Sequence, residues 1–140
     1  MQSITQKHEF GCGVACVAFT VGAPYDTVAD LLGSAQAATK GFYCQDLVRV
    51  LAVYGLNYEH RYVRPAVLPR IFQDGVIVYL KRSALYPAGH YLAYANGMWM
   101  DPWTNFAQNR GITEAYSGFV VQLPYNPSYA LLPLYNEVTR

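Results

Sequence analysis

An α+β fold, with helices first and an antiparallel sheet after them, is predicted by three features of this sequence. Residues 13–22 (GVACVAFTVG) are apolar nearly all round, as in a helix enclosed by the rest of a domain. Leu47, Val48, Val50, Leu51 and Tyr54 recur at helical spacing, and beyond Gly55 the pattern changes to the alternation of strands. Asn96-Gly97, set between two apolar runs, marks a two-residue hairpin. Helices and strands do not alternate along the chain, so a βαβ repeat is not expected.

Element by element, Gly22 and Pro24 stop the first helix. A short amphipathic helix follows at Asp26–Leu32 with Gly33 at its end, and residues 34–41 (SAQAATKG) read as a loop. A third helix spans Cys44–Tyr54, and Gly55 ends it. Asn57–Val63 alternates as a strand does, and Pro65 and Pro69 bracket a turn or short helix. Gly75–Leu80 (GVIVYL) is β-branched and apolar, which predicts a central strand. His90–Ala95 and Met98–Asp101 are the arms of the hairpin, and Gly118–Leu123 is a further strand. The Tyr/Pro-rich segment from Leu123 onward either wraps the domain or docks onto a protein partner. No repeat, low-complexity stretch or linker divides residues 1–140, so a single domain is expected.

Composition narrows the function classes. Charged residues are 14% and hydrophobic ones 53%, a balance that favours a packed core over disorder. A net charge of +1 supplies no basic field for nucleic acid. The N-terminus lacks a signal-peptide core, and no apolar run reaches the roughly 18 residues of a membrane helix, so no membrane span is expected. A cytoplasmic protein is the expectation, with signal-less export the alternative. Cys12, Cys16 and Cys44 are odd in number, which suggests reduced thiols. No CxxC pair or phosphate loop is present, so neither a metal nor another cofactor is expected. The 13 tyrosines must sit half-buried or line a groove.

The hairpin brings chemistry together. With Asn96 and Gly97 as turn residues, Ala95 faces Met98, Tyr94 faces Trp99 and Leu92 faces Asp101. His90 shares a face with Leu92, which makes His90 and Asp101 diagonal neighbours roughly 7–8 Å apart. A carboxylate on one ring nitrogen fixes the imidazole and leaves the other nitrogen free as a base. A nucleophile is available at the start of the first helix. Cys12 stands between Gly11 and Gly13, where the helix dipole and free amides favour a thiolate. Gln6, six residues earlier, offers an amide donor that with the Cys12 N–H would form an oxyanion hole. Cys16 lies inside the apolar helix and Cys44 opens another, so both read as small core residues. His8 and His60 have charged neighbours and read as solvated. The aromatic WMDPW stretch around Asp101 either walls a substrate groove or packs on a helix.

Gln6, Gly11-Cys12-Gly13-Val14-Ala15-Cys16 and the apolar helix after them resemble the N-terminal motif of the bacteriocin-processing cysteine peptidases, which remove double-glycine leader peptides. Gly41-Phe42, Leu47, Leu51, Gly55-Leu56 and the strand at Val76–Leu80 fit the middle of that family. Gly89-His90-Tyr91 and Asp101-Pro102 match its strand histidine and its Asp-Pro pair. The resemblance covers about residues 4–106 and implies a papain-like fold, with Cys12 as nucleophile, His90 as base, Asp101 as its orienter and Gln6 as oxyanion donor. A protein or peptide substrate is implied with it. Gly11 stands where the family usually carries an acidic residue, and its best-known members are fused to a membrane transporter. The same residues would serve a deamidase, transglutaminase or acyltransferase acting on another protein as a toxin or effector. A binding module without activity is the third expectation, separated from the others by the reactivity of Cys12.

Overall fold

The computed structural model describes residues 1–108 and 111–135. Among these residues the chain forms α1 (Cys12–Val21), α2 (Tyr25–Leu32), α3 (Ser34–Thr39) and α4 (Cys44–Val53). The strands follow: β1 (Tyr58–Tyr62), β2 (Ile77–Leu80), β3 (His90–Ala95), β4 (Met98–Asp101), β5 (Gly118–Val120) and β6 (Pro127–Pro133). They make one antiparallel sheet in the order β1-β6-β2-β3-β4-β5. The α+β layout expected from the sequence is the one observed, and β2 is an inner strand as its apolar run requires. Among the described residues no helix is long and apolar enough to cross a membrane.

α1 explains the position of the rest. Residues 13–18 are all buried, because the helix packs on β3 beneath and on α2 and α4 at its sides. A helix enclosed this way has no polar face to present, hence the unbroken apolar run. α4 buries only Leu47, Val50 and Leu51 and is amphipathic accordingly. The Asp46 carboxylate accepts the Tyr43 N–H at 2.9 Å and places negative charge in the first turn of α4.

Side chains alternate across the sheet. Ile77, Tyr91, Ala93, Met100 and Leu131 pack under the helices with Val14, Val17 and Leu47. Val78, Leu80, Leu92, Trp99, Ala130 and Leu132 pack on the opposite face with Val67, Ile71 and Tyr86. Each fully buried aliphatic contributes about 1.5–3 kcal/mol.

The structure departs from the sequence expectations in three places. Residues 34–39, read as a loop, form α3, whose alanines favour a helix and whose Ala37 is completely buried. β5 ends at Val120, so Val121–Leu123 do not continue the strand. The Tyr/Pro-rich segment is neither a wrapping arm nor a docking arm over residues 127–133. It is β6, inserted between β1 and β2 with Ala130, Leu131 and Leu132 buried. Pro127 and Pro133 stand at the two ends of β6, where a missing N–H does least harm to a ladder. Residues 136–140 lie outside the described residues.

Candidate active site

The hairpin is built as its turn residues require. Asn96 (φ 54°) and Gly97 (φ 79°) both have the positive φ of a type I′ turn. The pairs Ala95–Met98, Tyr94–Trp99 and Ala93–Met100 follow in the expected register. His90 is therefore the first residue of β3 and Asp101 the last of β4, on one face. Their side chains meet: His90 Nε2 and Asp101 Oδ1 are 2.7 Å apart, with both side chains about 95% buried. Asp101 Oδ1 also accepts the Trp103 N–H at 3.0 Å, which fixes the carboxylate independently of the histidine. Tyr86 lies flat on the imidazole, with ring centroids 4.5 Å apart and planes 8° from parallel.

Gly89, directly before His90, has φ 78°. Its missing Cβ leaves room for the Tyr79 hydroxyl, which donates to the Ala88 carbonyl at 3.1 Å. A Gly89→Ala side chain would collide with that hydroxyl in a left-handed conformation, and the expected loss is about 2–4 kcal/mol. Urea unfolding measures it; a change below about 0.5 kcal/mol would show that residues 86–89 reposition freely.

Cys12 is the half-buried first residue of α1, where amide hydrogens have no acceptor within the helix. Its sulfur shares one cleft with His90 and acts on the imidazole by charge. Burial alone would lower the His90 pKa. The hydrogen bond to the Asp101 carboxylate, with the influence of the Cys12 sulfur and the charges of both groups, outweighs burial and raises it to about 10. Cys16, completely buried, is held well above the usual thiol range by desolvation, then by the charges of Cys12 and Asp101. Burial also raises Cys44, and a weak hydrogen bond from the Tyr91 hydroxyl at 3.8 Å offsets part of the rise.

Gln6 is buried beside this site, and its backbone N–H donates to Pro102 O at 3.3 Å. Gln6 Nε2 donates to the carbonyls of His8 (3.0 Å) and Glu9 (3.2 Å), while Oε1 has no partner. The carboxamide expected to face an oxyanion thus spends its hydrogens on the turn before Cys12. Asn105, buried after β4, donates to Glu114 O and accepts the Tyr116 N–H, which ties down that loop.

Cys12, His90 and Gln6 line one cleft of about 730 Å³ between the helices and the sheet. The WMDPW residues divide between the two roles expected for them, Trp99 packing in the core and Trp103 lining the cleft. His8 is half-buried and pairs with the Tyr25 hydroxyl at 2.9 Å, whereas His60 is exposed at the cleft. Tyr91, Tyr79, Tyr129 and Tyr62 stand opposite one another across β3, β2, β6 and β1. The rings of Tyr79 and Tyr91 are 4.9 Å apart and those of Tyr62 and Tyr129 4.7 Å, a strip leading from the cleft to the sheet edge. Sequence reasoning foresaw tyrosines in a groove but not this row, nor Tyr86 on His90, since both depend on which strands become neighbours.

No family model matches the chain, and no curated protein matches it in sequence. Among solved structures it resembles a double-glycine motif protease from an AMS/PCAT transporter, crystallised in complex with the leader peptide. The TM-score is 0.59 at 14% identity, and the match covers 94% of this chain and 89% of that one. The likeness is one of fold: the helices and antiparallel sheet of this chain are arranged as in a papain-like peptidase domain.

Proposed function

We propose that this chain is a cysteine peptidase that hydrolyses a peptide bond with Cys12 as nucleophile, His90 as general acid and base, and Asp101 as its orienter. The observation that carries the proposal is the placement, in one cleft, of a helix-start thiol and an imidazole already held by a buried carboxylate at 2.7 Å. The Cys12 thiolate attacks the carbonyl carbon. Protonated His90 gives its proton to the leaving amine, and neutral His90 then takes a proton from the water that releases the acyl group. The Cys12 N–H, unpaired within the helix, receives the oxyanion. Gln6 joins it only by giving up a bond to His8 or Glu9, an exchange that substrate binding has to drive. The solved neighbour is crystallised with a leader peptide, which makes a polypeptide the first substrate class to test.

Alkylation by iodoacetamide, with the labelled thiol located by mass spectrometry, tests the proposal without a known substrate. Cys12 is expected to react well before Cys44 and Cys16, whose thiols burial holds protonated. His90→Ala should remove that advantage at neutral pH. Reaction of Cys12 no faster than Cys44 would refute the activated pair. Once a substrate is in hand, turnover should fall as pH rises through about 10, where His90 loses the proton the leaving amine needs.

A further inference from the structure

Arg82 is an arginine at the cleft with no carboxylate to answer it. Arg61 and Arg70 share Glu59, and Lys7 pairs with Asp26. Arg82 has no ion-pair partner among the described residues. On the helical side of the cleft, Glu9 and Lys40 bring opposite charges. Arg82 and His60 line the sheet side, and the Asp101 carboxylate behind His90 is committed to His90 and the Trp103 N–H. Arg82 follows β2 at the cleft, two residues beyond Leu80, the cross-strand partner of His90. Burial raises the Tyr79 phenol and the charge of Arg82 opposes that rise, while the Tyr79 hydroxyl donates to Ala88 O, two residues before His90. A guanidinium that lines the same cleft as Cys12 and His90, with its N–H groups open among aromatic side chains, matches the planar fork of a carboxylate.

We propose that Arg82 is a specificity residue that binds a substrate carboxylate close to the scissile bond. The inference rests on the peptidase reading of Cys12 and His90. The carboxylate comes either from an acidic side chain or from the end of the peptide chain, and the chemistry of recognition is the same.

The test compares iodoacetate, which carries a carboxylate, with iodoacetamide, which does not, as alkylating agents of Cys12. The iodoacetate-to-iodoacetamide rate ratio should fall about three- to fivefold in Arg82→Gln, be largely kept in Arg82→Lys, and shrink toward 1 M salt. The variants should fold normally, because Arg82 is exposed. His90 attracts the anionic reagent in every variant, so only the change in the ratio is informative. Fast Cys12 alkylation with a ratio unmoved by Arg82→Gln would overturn the proposal and leave the peptidase reading standing. Cys12 alkylation no faster than Cys44 with either reagent would overturn both. Three chloroacetyl-Gly probes then separate the sources: Glu-amide, Gln-amide and Gln with a free C-terminus. Faster labelling by the first supports an acidic side chain and by the last a terminal carboxylate, in each case only if Arg82→Gln removes the advantage. Equal rates for all three would overturn the proposal.

Discussion

Cys12→Ala is expected to lower peptide hydrolysis on the order of 10⁶-fold while leaving the unfolding free energy within about 1 kcal/mol of the parent. The two halves of this prediction have separate physical grounds. The thiolate supplies the electron pair that forms the acyl-enzyme, and no neighbouring side chain can replace it: Cys16 is completely buried and Cys44 opens a different helix. The same thiol is half-buried at the first position of α1, so removing its sulfur leaves no enclosed cavity of the kind that makes core truncations costly. Activity assays paired with urea unfolding decide the matter. A variant that keeps measurable turnover removes Cys12 from the chemistry. One that unfolds shows the thiol to be a packing residue.

Asp101→Ala should cost about 3–5 kcal/mol of stability and abolish turnover, because it leaves a buried imidazolium without its carboxylate. Asp101→Asn keeps an oxygen that can accept from both His90 and the Trp103 N–H, so its loss should be nearer 1 kcal/mol. The pH dependence carries the sign. Because the folded-state pKa of His90 is raised to about 10, above the unfolded value near 6.5, its stabilisation is fully present below about pH 6.5 and is lost as pH climbs to about 10. In Asp101→Ala, desolvation is opposed only by Cys12, so the pKa drops and the decline in stability between those limits flattens. Urea unfolding from pH 6 to 10 measures the slope in each protein. Equal slopes would mean that Asp101 is not the group that holds the proton on His90.

The sequence by itself determined whatever one segment can decide alone. An apolar run of helical length predicts an enclosed helix, and α1 is that helix. Asn96-Gly97 demands a type I′ turn, the turn sets the register, and the register places His90 diagonal to Asp101 before any packing is known. The helix-start position of Cys12 is equally local. Only the tertiary structure decided what depends on partners distant along the chain. β6 reads as an irregular tail because its Ala-Leu-Leu run has no period of its own, and it becomes a strand only between β1 and β2. α3 forms because Ala37 finds a buried place beside α2. Gln6 lines the cleft, and its amide hydrogens go to carbonyls that the turn before α1 brings near. The tyrosine row, the stack of Tyr86 on His90, and the approach of Cys12 to His90 share that cause. Side-chain periodicity records which face of an element is buried, whereas the element that covers that face is settled by the burial of the whole core at once.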